Sequence, residues 1–251
     1  MKKNILLLGG SSEGFKLANQ LHNHPHFTIT SSLAGRTSLP RKPKGPYRTG
    51  GFGGVKGLST YLRENNIHAL IDATHPYAQT ISHNAAEAAK ATNTPHIHLC
   101  RPAWQKTKDD HWIETTNTQE AAKLLTPNQS PIFLTIGRTD LTAFLSKPDL
   151  TFLTRAIEQP PEQETLPSNF NFIYAKGPFS YEDELHLMQQ HNIKALVSKN
   201  SGGTHAHAKI KVARTLKIPV LMIKRPTTPN GPTAETTEQI IDWLDQIRTK
   251  P

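Results

Sequence analysis

The sequence predicts an α/β protein built from two parallel-sheet domains, each sheet covered by helices on both faces. Three observations carry this. Short apolar runs alternate with helical stretches, the rhythm of parallel strands joined by crossover helices. A glycine turn, Gly9-Gly10-Ser11-Ser12-Glu13-Gly14, joins the first apolar run to the first helix. The rhythm weakens midway and then resumes, and 251 residues are enough for two domains.

Taken in order, residues 5–8 (Ile-Leu-Leu-Leu) predict a buried first strand. The preceding Met1-Lys2-Lys3-Asn4 imitates a secretion signal, but the apolar stretch is far shorter than the about 7–15 residues of a signal core. A helix over 13–21 and a strand over 27–32 follow. Residues 58–65 predict a helix, 69–73 a strand, the Ala-rich 78–91 a helix and 96–99 a strand. Arg101-Pro102-Ala103-Trp104 opens a polar connection through Asp109-Asp110. Beyond it come a helix over 118–125, a strand over 132–136, a short helix over 140–144 and a strand over 152–154. Residues 160–169 read as a loop. The rhythm then returns with strands over 172–175, 195–198 and 220–223 and helices over 181–190, 206–216 and 233–247. The expected division is 1–105 and 106–251, with the last helix free to pack back on the first domain.

Bulk properties exclude several classes. No apolar run approaches the about 20 residues of a membrane helix, so no membrane partner is expected. Cys100 is the sole cysteine, which excludes an internal disulfide and a cysteine-based zinc site and fits a reducing cytoplasm. The net charge of +9 suits polyanionic partners, among them nucleic acids and polycarboxylate or phosphate metabolites. The histidines at 22, 24, 26, 96, 98, 205 and 207 do not follow a metal-binding pattern, and no metal is expected.

The candidate chemistry sits just past strand ends. Gly9, Gly10, Ser11, Ser12, Glu13 and Gly14 form a turn whose backbone amides suit a pyrophosphate at the positive end of a helix, although Ser11 stands where the usual G-x-G-x-x-G pattern has glycine. The second strand ends at Ser31-Ser32 with Gly35 and Arg36 beyond it and no carboxylate for a ribose 2′-hydroxyl; Ser32 and Arg36 suit a 2′-phosphate, hence NADPH over NADH. Gly50-Gly51-Phe52-Gly53-Gly54 is a second glycine cluster, and Gly53 is counted with the coenzyme residues. It is not a P-loop, because no Gly-Lys dipeptide occurs. The third strand leads into Asp72-Ala73-Thr74-His75-Pro76-Tyr77-Ala78, where Thr74 is placed near coenzyme and His75 and Tyr77 are candidate catalytic groups. In the second half, Ser198, Lys199, Asn200, Ser201, Gly202 and Gly203 precede a helix and suit an anion. Lys199 joins the candidate catalytic groups, and Arg138 and Lys176, also past strand ends, the candidate substrate-binding ones. No tyrosine has lysine four residues later, which removes support for short-chain dehydrogenase chemistry.

Together these segments, with Gly57-Leu58, Glu182, Glu184, Ala208-Lys209, Ala213-Arg214, Ile218-Pro219-Val220 and Arg225-Pro226, resemble the precorrin-6A reductases, in both their metal-free and cobalt branches. The resemblance runs in order over nearly the whole chain. It implies two Rossmann-like domains with NADPH and the macrocycle in the cleft between them, and reduction of one ring double bond of a methylated tetrapyrrole polycarboxylate. Hydride would come from the nicotinamide, and a proton from solvent or a side chain. The sequence departs from the family's usual residues at Ser11, Lys176 and Phe15-Lys16 without losing a functional group. A monomer is the simplest reading. The alternatives are another NADP-dependent oxidoreductase of a smaller anionic substrate and a basic Rossmann-like nucleic-acid-binding protein. The latter leaves the glycine turns unexplained and lacks a basic run interleaved with aromatics, so no nucleic acid is expected.

Overall fold

The computed structural model describes residues 2–35, 41–158 and 167–249. The chain forms two compact units, one from residues 1–102 and 226–251, the other from Ala103–Arg225. The second unit therefore ends at Arg225, and the residues after it belong with the first.

In chain order the first unit contributes β1 (Lys3–Leu8), α1 (Ser12–Leu21), β2 (Phe27–Leu33), β3 (Tyr47–Thr49), α2 (Gly54–Glu64), β4 (Ile67–Asp72), α3 (Gln79–Thr92) and β5 (His96–Leu99). The second unit follows with β6 (Trp112–Thr115), α4 (Thr118–Leu124), β7 (Ile132–Thr135), a 3₁₀ turn at Arg138–Phe144, β8 (Phe152–Ala156), β9 (Phe170–Tyr174), α5 (Tyr181–Gln190), β10 (Ala195–Lys199), α6 (Ala208–Thr215) and β11 (Val220–Ile223). β12 (Thr233–Ala234) and α7 (Thr237–Thr249) complete the first unit.

Each unit holds one six-stranded sheet, ordered β3-β2-β1-β4-β5-β12 in the first and β9-β8-β7-β10-β11-β6 in the second. All pairings are parallel. Both sheets thus have doubly wound order, with the winding reversing between β1 and β4 and between β7 and β10. The sixth position is filled by β12 in one sheet and by β6, the strand earliest in its unit, in the other.

The apolar run of β1 is buried because its two faces meet two different helix layers. Ile5 and Leu7 pack with Leu17 and Leu21 of α1 and Ile240 and Leu244 of α7. Leu6 and Leu8 pack with Leu58 and Leu62 of α2 and Ala85 and Ala88 of α3. Each such leucine contributes about 1.5–3 kcal/mol on burial. In the second unit Phe133 (β7), Leu196 (β10) and Val220 and Met222 (β11) form the matching layer with Met188 of α5 and Ile210 and Ala213 of α6.

Several expectations are corrected. The strands β3, β6 and β12 have no counterpart in the sequence reading. The last helix starts at Thr237, not 233, because Thr233 and Ala234 pair with His98 and Leu99 as a strand. The short helix expected over 140–144 is a 3₁₀ turn that begins at Arg138. No helix among the described residues is long and apolar enough to cross a membrane.

Candidate functional site

In open parallel sheets ligands meet the carboxyl ends of the strands where the winding reverses. In the first unit that point is flanked by the turn after β1 and the turn after β4. Ser11 caps α1, its Oγ accepting from the Gly14 amide at 3.0 Å, and the same hydroxyl donates to the Ala73 carbonyl at 2.6 Å. Ser11 therefore ties the two turns together and is itself buried. A Cβ at Gly14 would lie 3.2 Å from the Ala73 carbonyl and 3.3 Å from Gly9 Cα, so glycine is what lets α1 start so close to the sheet. Gly10 sits at φ 109°, and no atom lies within 4 Å of where a Cβ would be, leaving the turn's backbone open to approach. This open, glycine-lined helix start is the environment a pyrophosphate requires.

Glu13 is committed within the protein. Arg101 forms an ion pair with it, and Ser12 Oγ donates to it at 3.0 Å. Burial pushes the Glu13 carboxyl up, but Arg101 and the nearby hydrogen bonds outweigh this and hold it below its ordinary value. Arg101 was not singled out from the sequence as a site residue.

Below the β4 turn lies a buried network. Asp72 accepts from the Thr74 amide (3.0 Å) and hydroxyl (2.6 Å) through one oxygen and meets His98 Nδ1 at 2.9 Å through the other. The two residues are register partners on β4 and β5. Burial works against the His98 charge, but the Asp72 hydrogen bond, the neighbouring Cys100 and the Asp72 charge raise its pKa to about 9. For Asp72 burial favours the neutral acid, and His98, Ser82 and Thr74 hold it below the ordinary carboxylate value all the same. Thr74 is thus a fixed part of the turn. His75 lies exposed beyond it, its Nδ1 accepting from the Tyr77 amide at 3.3 Å, with the two rings 5.7 Å apart.

Past β2, the Ser32 hydroxyl accepts from Arg48 at 2.7 Å. Arg48 also donates to the carbonyls of Gly50 and Gly51, both at 2.9 Å, and lies over the Phe52 ring at 3.9 Å. One guanidinium thus joins Ser32 to the glycine cluster, and sequence reading missed it. Gly35 and Gly53 have φ of 70° and 80°, and the space where a Gly53 side chain would lie is open. Arg36 lies outside the described residues.

In the second unit the winding reverses between β7 and β10. Lys199, ending β10, reaches Asp140 of the 3₁₀ turn at 2.6 Å. Arg138 begins that turn and is exposed, so Arg138 and Lys199 follow adjacent strands. Lys176 is exposed beyond β9, the edge strand, two strands from β7. The Asn200 side chain clamps the Trp104 backbone, accepting from its amide at 2.8 Å and donating to its carbonyl at 3.0 Å. Trp104 in turn donates to the Gly203 carbonyl at 2.7 Å, and Arg225 donates to the carbonyls of Asn200 and Ser201. Gly202 and Gly203 both have φ near 70°. Ser198 is fully buried, its hydroxyl donating to the Lys199 carbonyl at 3.2 Å. Trp104 and Arg225, which fix this loop, were legible only as parts of short motifs. Among the described residues no three or more His, Cys, Asp or Glu gather as a metal site would need.

Two doubly wound sheets, each with polar residues gathered where its winding reverses, define a Rossmann-like α/β protein. The comparisons make this particular. Residues 4–245 match the family model described as precorrin-6x reductase CbiJ/CobK, and the chain belongs to that family, oxidoreductases of corrin (cobalamin) biosynthesis. It is 44% identical to a precorrin-6A reductase of Rhodococcus erythropolis over 97% of this chain and 98% of that one. It is 27% identical to a cobalt-precorrin-6A reductase of Priestia megaterium, covering 96% and 97%. A solved structure of a CobK precorrin-6A reductase superposes with a TM-score of 0.91 at 34% identity, covering 98% of this chain and 97% of that one.

Proposed function

We propose that this protein reduces one ring double bond of precorrin-6A with NADPH, giving the dihydro product precorrin-6B. The carrying observation is 44% identity to a precorrin-6A reductase along nearly both chains, with the glycine turns and charged groups standing at the strand ends. The higher identity to that relative than to the cobalt-branch relative, 44% against 27%, supports the metal-free substrate.

The reduction adds a hydride at one carbon and a proton at its neighbour. Bound NADPH supplies the hydride. The first unit holds the coenzyme: the α1 turn of Gly9, Gly10 and Ser12 receives the pyrophosphate, and Ser32 and Arg36 receive the 2′-phosphate, with Arg48 holding Ser32 in place. Arg138, Lys176, Lys199 and the loop 200–203 bind substrate carboxylates by charge-assisted hydrogen bonds. His75 and Tyr77 contact the reacting ring or the nicotinamide, and the proton reaches the carbon from His75 or from water. The protein's positive charge of +9 matches a polycarboxylate.

The test is the absorbance decrease of NADPH with metal-free precorrin-6A and, separately, with cobalt-precorrin-6A. Faster oxidation with the metal-free ring is expected, with NADH a poorer donor. Loss of absorbance with neither substrate would overturn the reading, and equal rates with both coenzymes would overturn the NADPH preference.

A further inference from the structure

A cavity of about 210 Å³ opens at the carboxyl ends of β7, β8 and β9, with Glu184 of α5 and Lys209 of α6 in its wall. Its walls include Ile136, Ala156 and Phe179, and three ionisable groups face it: Arg155, Glu184 and Lys209. Arg155 and Glu184 form a bidentate pair, at 2.6 and 2.8 Å, and are nearly buried. The Arg155 guanidinium stacks 3.8 Å from the Phe179 ring centroid, and its Nε, also buried, has no acceptor among the described residues. Lys209, in the first turn of α6, is only 7% exposed. Among the described residues its ammonium has no hydrogen-bond or ion-pair partner, and both Glu184 oxygens accept from Arg155.

Among the described residues that line the cavity the balance is two cations against one anion. Buried charges are paired in native proteins, and the described residues that line the cavity include no second anion. A purely structural residue at 209 would be apolar, as its neighbours Ile210, Val212 and Ala213 are. Burial pushes the Lys209 pKa down to about 8, with Glu184 opposing and Arg155 adding to the effect. At neutral pH the ammonium thus keeps its charge, beside an acid, Glu184, that is already paired with Arg155.

We propose that this cavity is a carboxylate pocket, in which one short acid side chain of the substrate pairs with Lys209 beside Arg155. The volume admits an arm of a few atoms and is below the about 300–1,000 Å³ of a site for a whole drug-sized ligand. A monoanion restores neutrality, whereas a dianionic phosphate would leave a buried negative excess. That the arm is the substrate's rests on the reductase reading; the pocket's selectivity for a carboxylate does not.

The test has two arms. In the first, ¹³C-lysine-labelled protein is titrated by NMR with sodium propionate, with inorganic phosphate or with sodium chloride at equal ionic strength, the Lys209→Met variant assigning the signal. Propionate is expected to raise the Lys209 pKa by about one unit, tenfold in proton affinity, with phosphate weaker and chloride inert. No response to propionate, or a larger response to phosphate, overturns the proposal. In the second, Lys209→Met is expected to raise the KM for precorrin-6A about tenfold, the scale of one charged hydrogen bond, with kcat and NADPH affinity nearly unchanged and partial rescue by Lys209→Arg. An unchanged KM in a folded Lys209→Met protein also overturns it. Should Lys209→Met not fold, the titration of the wild-type protein, with the signal assigned by Lys209→Arg, decides. If the wild-type protein binds propionate yet does not reduce precorrin-6A, the reductase reading falls and the pocket stands.

Discussion

Single residues in this protein act by fixing backbone that other groups then use. Asp72 and His98 are the clearest pair, since their ion pair holds the Thr74 turn from beneath. Removing one partner of such a buried pair costs about 3–5 kcal/mol, so His98→Ala is expected to lower the urea midpoint sharply at neutral pH. The pH dependence follows from the directions of the shifts. His98 is raised to about 9, so its contribution is complete below its unfolded value of about 6.5 and is lost as pH rises through about 9. Asp72 is lowered, so its contribution is present above its unfolded value and lost as pH falls through the folded one. Denaturation across pH should therefore show the wild-type advantage over His98→Ala shrinking on the alkaline side. Gly57 is a second such position: a Cβ there would lie 1.7 Å from the Phe52 carbonyl, which no rotamer relieves. Gly57→Ala should displace the Gly50–Gly54 loop and weaken NADPH binding in a fluorescence titration, at a stability cost of about 1–3 kcal/mol. NADPH affinity equal to that of the wild type would count against a coenzyme role for this loop.

Among the elements, α1 shows how a cap can serve a site. Ser11 both caps the helix and ties it to the β4 turn, so Ser11→Ala should cost about 1–2 kcal/mol and also reduce NADPH affinity. Asn117 caps α4 in the second unit through the Glu120 amide at 2.8 Å, and Asn117→Ala should cost about 1 kcal/mol while leaving the coenzyme untouched. Comparing the two variants by denaturation and NADPH titration separates helix stability from site geometry. The same scale explains what was legible in the sequence. The β1 run could be read because both its faces are buried, and the turn Gly9–Gly14 because its glycines are adjacent in sequence. Arg48 could not be read, because its tie to Ser32 exists only through the parallel register that sets Ser32 against Arg48. Asp72 and His98 are hidden for the same reason, 26 residues apart until β4 and β5 align. β12, two residues long, has no period of its own and is a strand only through β5. Lys209 appeared only as part of a short motif, since what distinguishes it is its burial beside Arg155 and Glu184 in three dimensions.

On the scale of the whole molecule, the first unit depends on chain from both sides of the second. Ile240 and Leu244 of α7 are completely buried against β1 and α1. A chain ending at Arg225 therefore lacks two core side chains, each of which would cost about 2–5 kcal/mol to truncate to alanine, as well as the edge strand β12. Limited proteolysis of that shortened chain should cut within 1–102 well before it cuts within 103–225. Equal protection of both regions would show that β12 and α7 are dispensable.

The interruption of one unit by the other also has a consequence for synthesis on the ribosome. The second unit is continuous, so all of its strands have been translated before β12 and α7 are made. Domains commonly fold in the order in which they emerge, but here the segment that begins first is finished last, and β1 must wait beside an incomplete sheet while its neighbour closes. Nascent chains stalled shortly after residue 225 has left the exit tunnel should carry a protease-resistant second unit and a still-sensitive first one. Chains released after α7 has emerged should resist throughout.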